Sequence, residues 1–130
     1  MANPNIVNIT TIHGGNAAWA LTNTVTTVLL TASADVVIKI NSLICTNIHA
    51  SNAATVSVGI YGMGTGATGA SANGPLADCR IANLMNVPQG DSLVIIDKPI
   101  YMMESDILKG GASAPSTLEL FCSYEVINDA

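Results

Sequence analysis

Short runs in which β-branched apolar residues alternate with polar ones constrain the fold of this chain more than any other feature. In residues 55–60, TVSVGI, every second residue is apolar, and Leu118, Leu120 and Cys122 show the same alternation near the C-terminus. A period of two is typical of strands that bury one face of a sheet. No stretch of ten or more residues keeps a 3.6-residue apolar period without β-branched or glycine interruptions. We therefore expect an all-β fold with little or no helix.

Turn-forming residues separate the strand candidates at regular intervals. The predicted strands are residues 6–12, 17–21, 24–31, 36–48, 55–61, 77–87, 92–96, 100–103, 106–109 and 118–127. The turn signals between them are residues 13–16, 51–52, 88–91, 97–99, 104–106 and 110–115. Many short strands punctuated in this way are typical of a sandwich or barrel. The chain lacks the crossovers of a parallel sheet, so we predict an antiparallel β-sandwich of jelly-roll-like form.

The length of the chain bounds its organisation. Its 130 residues are the size of one ordinary domain. We expect residues 1–12 to form an N-terminal arm or first strand and residues 13–130 to form a single β-sandwich domain. A proline at position 4, in an otherwise free terminus, makes residues 3–9 a candidate arm that adds to the sheet edge of a neighbour.

The composition predicts contact between copies. Hydrophobic residues make up 49% of the chain and charged residues 10%, where an average domain has about 25% charged residues. Within residues 36–48, Leu43 and Cys45 are out of phase with Val36 and Ile38, which places apolar groups on both faces of the strand. One face can serve the core, and a second subunit is the simplest cover for the other.

Charge and hydropathy argue against nucleic acid and membrane as partners. The four cations, Lys39, Arg80, Lys98 and Lys109, are scattered, and the net charge is -5. Binding to phosphates needs clustered cations. The N-terminus has neither the basic nor the apolar part of a secretory signal, and no apolar run approaches the ~18 residues of a membrane span. We expect the chain to be made in the cytosol.

A glycine-rich segment at residues 62–75 contains a formal match to the dinucleotide-binding spacing G-x-G-x-x-G at residues 64–69. That motif works only where a strand turns directly into a helix whose N-terminus meets the pyrophosphate. The sequence after it, ATGASANGPLADC, has no amphipathic helical period. We therefore interpret the segment as a solvent-facing loop and predict no cofactor.

Histidines and cysteines are too sparse for an obvious reaction or metal centre. His13 and His49 lie 36 positions apart at predicted strand ends, with no partner at metal-ligand spacing. Cys45 and His49 would be separated by roughly 13 Å along a strand, which is too far for a hydrogen bond. Cys45, Cys79 and Cys122 form no C-x-x-C pair, and we interpret all three as small buried hydrophobic residues. The sequence thus predicts no metal site and no catalytic residue.

The remaining chemical candidates are carboxylates and aromatics. Asp91, Asp97, Glu104 and Asp106 fall in predicted turns, where acidic side chains commonly bind the local backbone. Paired carboxylates that hydrolyse glycosides remain an open alternative. Among the aromatics, Phe121 and Tyr124 are predicted to lie in the core or an interface. Trp19 is interpreted either as a contact anchor or as simple packing.

Three segments, MANPNIVNIT, VPQGDSLVIIDKPIYMMESDIL and LELFCSYEVI, resemble small virion structural proteins of tailed bacteriophages, including cyanophages. The resemblance implies a β-rich capsid decoration, or cement, protein that binds the major capsid protein as a homo-oligomer, for instance a trimer. It would be found in the virion, and in the host cytoplasm during assembly. The glycine-rich segment departs from the family pattern.

The interface candidates are four residues, Pro4, Ile6, Val7 and Trp19. Two other functions remain open on the sequence. One is a neck, tail or fibre component, and the other is a carbohydrate-binding adhesin module with Trp19 or Tyr61 exposed beside an acidic turn. An enzyme would need His49, Cys45 or two carboxylates to converge in a pocket.

Overall fold

The computed structural model describes residues 9–63 and 78–128, and no helix occurs within these two ranges. The strands are β1 Thr11–Ala20, β2 Val28–Thr31, β3 Val36–Asn47, β4 Ala54–Tyr61, β5 Cys79–Val87, β6 Ser92–Ile96, β7 Ile100–Met102, β8 Ile107–Ala112 and β9 Leu118–Asn128. The predicted all-β fold is confirmed.

Two antiparallel sheets pack face to face around one apolar core. Sheet A has the strand order β1-β9-β3-β6, with β7 also pairing with β3, and sheet B has the order β2-β8-β4-β5. The largest fully buried side chains include Ile40, Leu43, Met102, Leu108 and Leu120. They come from strands of both sheets, because alternate residues of each strand point toward the facing sheet. The predicted antiparallel β-sandwich is confirmed.

Strands from the first part of the chain pair with strands from its second part. β1 pairs with β9, β2 with β8, β3 with β6 and β7, and β4 with β5. β3 also pairs with β9, and β4 with β8, which completes the two sheets. This pairing is compatible with jelly-roll winding, which stays a prediction.

A bulge in β3 explains why apolar residues of both parities in this strand enter the core. The register with β9 shifts between Ile40 and Ser42, and one extra residue at that point reverses the parity of the strand. Ile38 and Ile40 before the bulge and Leu43 after it therefore all enter the core. The phase change at Leu43 is therefore absorbed within one chain, while Val37 and Ile44 keep apolar groups on the outer face of the strand.

One predicted turn, and the first half of another, are strands instead. Residues 13–16 lie inside β1, in continuous register with β9, where Gly15 lies against the Tyr124 ring. Residues 110–112 extend β8, where a Cβ at Gly111 would meet the Thr24 carbonyl oxygen at 2.5 Å. Glycine at these two positions serves close packing rather than a turn.

β1 also crosses the boundary predicted between residues 12 and 13, so Thr11 and Ile12 belong to the sandwich. The strand predicted over residues 24–31 is shorter, since β2 begins at Val28. The glycine-rich motif at residues 64–69 and most of the predicted arm lie outside the described residues.

Candidate interaction surface

The outer face of sheet A carries a row of apolar side chains that crosses four strands. In the strand register, Ala18 lies opposite Phe121, Phe121 opposite Ile44, and Ile44 opposite Val94. We call these four residues the Phe121 row. The neighbours of Phe121 along β9, Leu120 and Cys122, are buried in the core, so Phe121 itself faces outward. Phe121 is 43% exposed and Val94 54% exposed.

A depression of about 360 Å³ lies over the β1 half of this row. Its outer-face lining consists of Ala18, Ala20, Ile44, Thr46, Glu119 and Phe121. The lining combines apolar side chains with one carboxylate, that of Glu119, and one hydroxyl, that of Thr46. The Thr46 hydroxyl lies 3.0 Å from that of Ser92, which leaves Glu119 as the charged group of the depression. Such a site suits contact with a protein surface better than bond-making chemistry.

A second apolar row lies at the opposite end of the same face. Ile12 of β1 lies opposite Ile127, and Ile127 opposite Val37. We call these three residues the Ile12 row. Ile127 and Val37 are buried, whereas Ile12 is 61% exposed at the sheet edge.

Polar residues separate the two rows. Next to the Ile12 row, Lys39 and Glu125 form an ion pair at 4.0 Å, with both side chains partly exposed. Next to the Phe121 row, Asn16 lies opposite Ser123, which lies opposite Ser42. The outer face is therefore banded along the strands, first apolar, then charged, then polar, and then apolar again.

Trp19 lies on the other side of the sheet. It is half-buried and packs against the core cluster, because it shares the parity of Ala17 and lies opposite the buried Leu120. Of the two interpretations of this residue, the structure supports packing. The other interface candidates, Pro4, Ile6 and Val7, lie outside the described residues.

Phe121 and Tyr124 were both predicted to lie in the core or an interface, and the structure separates them. Tyr124 is half-buried against the core, and Phe121 is on the outer face. Sequence parity contained the signal for this division, because Phe121 is the apolar residue out of phase within residues 118–126. The partners of Phe121 on β3 and β6 could not be found in this way, because they depend on strand order and bulges.

The cysteines divide into two environments. Cys45 and Cys122 are buried, and burial raises the pKa of both thiols to about 11. They are neutral at physiological pH and poor nucleophiles. Cys79 is exposed, so the prediction that all three cysteines are buried is wrong for it. The physical reason is its position at the start of β5, an edge strand.

The two histidines lie in different settings. His13 was predicted to lie in a turn but is inside β1, opposite Val126. His49 does lie in a turn, where its Nδ1 accepts hydrogen bonds from the Ser51 and Asn52 amides at 3.1 Å. The amide of His49 in turn donates to the buried Asn47 side chain at 2.8 Å. His49 therefore has a structural role in this turn.

Two of the four predicted turn carboxylates, Asp91 and Asp106, bind the local backbone, whereas Glu104 accepts from the distant Asp35 amide at 2.9 Å. Asp91 accepts from the Ser92 amide at 2.8 Å, and Asp106 accepts from the Met103 amide at 2.9 Å. Burial raises the pKa of Asp106, against the lowering effect of the Met103 hydrogen bond. Within residues 9–63 and 78–128, no group of three or more His, Cys, Asp or Glu side chains could hold a metal ion. The same ranges contain no helix long and apolar enough to cross a membrane.

Comparisons with known proteins give little further guidance. No family model matches the sequence, and no curated protein matches it either. Among solved structures, a similar chain belongs to the endospore appendages of Bacillus, described as disulfide-linked pili. The two chains are 11% identical with a TM-score of 0.49, over 92% of this chain and 88% of the other. A likeness at this level carries no conclusion about function.

Proposed function

We propose that this chain is a structural protein whose work is contact, and specifically a virion protein that decorates the outer capsid shell as an oligomer. The observation that carries the proposal is the Phe121 row, an apolar band left open on one face of a sandwich whose core is already complete. The resemblance of three segments to small phage virion proteins supports the choice of partner, the major capsid protein.

The mechanism is cementing by many weak contacts. A depression the size of the one beside Phe121 contributes modest affinity by itself. Several linked copies engage the shell together, and the effective concentration of each linked contact raises the overall affinity without new chemistry. Oligomers that bridge neighbouring shell subunits would then resist expansion of the shell.

Pelleting with undecorated capsids tests this proposal. Phe121→Lys places a charge in the apolar row and should remove most of the pelleted protein, since burial of an unpaired charge is costly. Met85→Lys on β5 is the matched control, because Met85 is exposed to the same extent, 43%. Equal pelleting by the two variants would contradict a role for the Phe121 row. Failure of the unaltered protein to pellet would contradict the capsid partner.

The N-terminal arm requires a separate test. A chain that lacks residues 1–9 should keep its far-ultraviolet circular dichroism spectrum and lose capsid affinity. Unchanged capsid binding by the truncated chain would remove the arm from the mechanism.

Two alternative functions make different predictions. A neck, tail or fibre component would bind purified tails in preference to bare capsids. A carbohydrate-binding adhesin was expected to expose Trp19 or Tyr61, yet Trp19 packs against the core, and Tyr61 is half-buried, with the Lys109 ammonium 4.9 Å from its ring centre. Strong binding on a glycan array would favour the adhesin over the virion protein.

A further inference from the structure

The free edge of β1 differs from the other sheet edges of the sandwich. Among residues 9–63 and 78–128, β1 is the outermost strand of sheet A. It runs for ten residues and has the sequence TIHGGNAAWA without Lys, Arg, Asp, Glu or Pro. Its register with β9 is continuous from end to end, with no bulge. Charge, proline, bulges and short length are the usual features that keep an edge strand from pairing with another chain. β1 has none of them.

The other edges carry such features. β5 has two register shifts against β4 and a left-handed residue, Leu84, with φ of 52°. The edge formed by β6 and β7 is interrupted by Asp97, Lys98 and Pro99. β2 has only four residues and a register shift against β8.

The hydrogen-bonding groups of β1 that face outward follow from its pairing with β9. The Leu21 amide donates to the Leu118 carbonyl directly opposite, at 3.0 Å. An antiparallel ladder uses alternate residues, so within Thr11–Ala20 the odd-numbered residues bond to β9. The Thr10 amide, which precedes the strand, also donates to the Asn128 carbonyl at 3.0 Å. The N–H and C=O groups of the even-numbered residues point away from the sheet. These residues are Ile12, Gly14, Asn16, Ala18 and Ala20.

We infer that β1 pairs with β1 of a second copy of this chain, antiparallel about a two-fold axis at Gly15. The inference goes beyond the proposed function, which leaves the mode of self-association open. In this register Ile12 lies opposite Ala18 of the partner subunit, and Gly14 lies opposite Asn16 of the partner subunit. The two sheets A become one continuous sheet.

The order of apolar and polar bands on the outer face favours this register over the two adjacent registers. Pairing Ile12 with the partner's Ala18 joins the Ile12 row of one copy to the Phe121 row of the other, and does so twice. Pairing Ile12 with the partner's Ala20 would bring the Ile12 row against Glu119, which lies beside Ala20. Pairing Gly14 with the partner's Gly14 would bring the two Glu125 side chains toward each other. The first register continues apolar with apolar and polar with polar.

A two-fold pair contains two copies, so this edge favours a dimer over the trimer considered from the sequence. Light scattering on the purified full chain tests the pairing. Ile12→Lys should raise the dimer dissociation constant at least about tenfold, which corresponds to about 1.4 kcal/mol, because the charge would enter the joined apolar rows. Leu84→Lys is the matched control, since Leu84 is 64% exposed on β5, and it should leave the dissociation constant unchanged. A monomeric or trimeric unaltered protein would overturn the inference, as would equal effects of the two variants.

Cross-linking tests the register. In a Cys79→Ser background, the double variant Ile12→Cys with Ala18→Cys should form a disulfide-linked dimer under mild oxidation, since paired Cα atoms would lie roughly 5.5 Å apart. Within one strand these two positions are about 20 Å apart, so the bond must join two copies. Ile12→Cys with Ala20→Cys is the control and should cross-link poorly. Equal or greater cross-linking of the control would overturn the register. The result is independent of capsid binding, so the proposed function and the β1 pairing can fail separately.

Discussion

The two long edge strands of this sandwich, β1 in sheet A and β5 in sheet B, differ in how readily their exposed edges could pair with another strand. β1 is regular and contains no Lys, Arg, Asp or Glu. β5 is bulged twice, carries Arg80 and includes Leu84 in the left-handed region. Both strands are nine or ten residues long and largely exposed. The two strands are thus similarly exposed but differ in the features that protect a strand edge from pairing with another chain.

Glycine substitution should separate the two edges by the largest effect. A Cβ at Gly59 of β4 would lie 2.7 Å from the carbonyl oxygen of Cys79 on the neighbouring β5. A Cβ at Gly15 of β1 would lie 2.9 Å from the Tyr124 ring. The Cys79 backbone is held in the sheet and cannot shift as easily as the Tyr124 ring can. Gly59→Ala should therefore lower the free energy of unfolding by about 2–3 kcal/mol and Gly15→Ala by about 1 kcal/mol or less, as measured by urea denaturation. The reverse order would show that β5 is held less firmly than β1.

Proline should break the open edge without unfolding the sheet. Asn16→Pro removes an outward N–H group and leaves the β9 ladder intact. We expect the dimer dissociation constant to rise about tenfold, which corresponds to roughly 1.4 kcal/mol. The thermal unfolding of the monomer should change little. Asn16→Ala, which keeps the N–H group, is the control for the side chain. A dimer as stable as the unaltered one in the proline variant would remove β1 from the interface.

Thiol labelling should report whether β5 stays free. Cys79 is exposed at the start of β5, while burial raises the pKa of Cys45 and Cys122 to about 11. At neutral pH a thiol reagent should modify one cysteine per folded chain and three per unfolded chain. The count for the folded chain should be the same at protein concentrations above and below the dimer dissociation constant. Protection of Cys79 only at high concentration would place β5, and not β1, in the interface.

The smallest effect expected concerns pH and lies away from both edges. Burial raises the pKa of Asp106 in the folded state above its ordinary value of 3.8, so the folded protein holds that proton more tightly than the unfolded one. The resulting stabilisation is complete below about pH 3.8 and is lost as pH rises through the raised pKa. Asp106→Asn keeps an oxygen acceptor for the Met103 amide and should flatten this part of the stability profile, as measured by thermal unfolding. An unchanged profile would show that Asp106 titrates normally.

Period-two patterning was sufficient to predict the fold class and the approximate positions of the central strands. The pattern failed where glycine was taken as punctuation, at residues 13–16 and 110–112, because a glycine needed for close packing looks the same in sequence as one needed for a turn. It also failed in β3, because a single bulged residue reverses parity, so that Leu43 and Cys45 look like a second face although they lie in the core with Ile38 and Ile40. Strand order set the remaining limit. Ala18, Ile44 and Val94 lie in one row with Phe121 only because β1, β9, β3 and β6 are neighbours in the sheet, and no local pattern contains that information.

The protection of backbone amides in β1 tests the central claim most directly. Hydrogen exchange measured residue by residue by NMR, on the full chain at high and low concentration, reports whether the outward N–H groups are bonded. We predict that the amides of Ile12, Gly14, Asn16 and Ala18 exchange slowly at high concentration and become fast on dilution, while the odd-numbered amides stay slow throughout. Fast exchange of these even-numbered amides at every concentration would contradict the claim that β1 is the surface through which copies of this protein join.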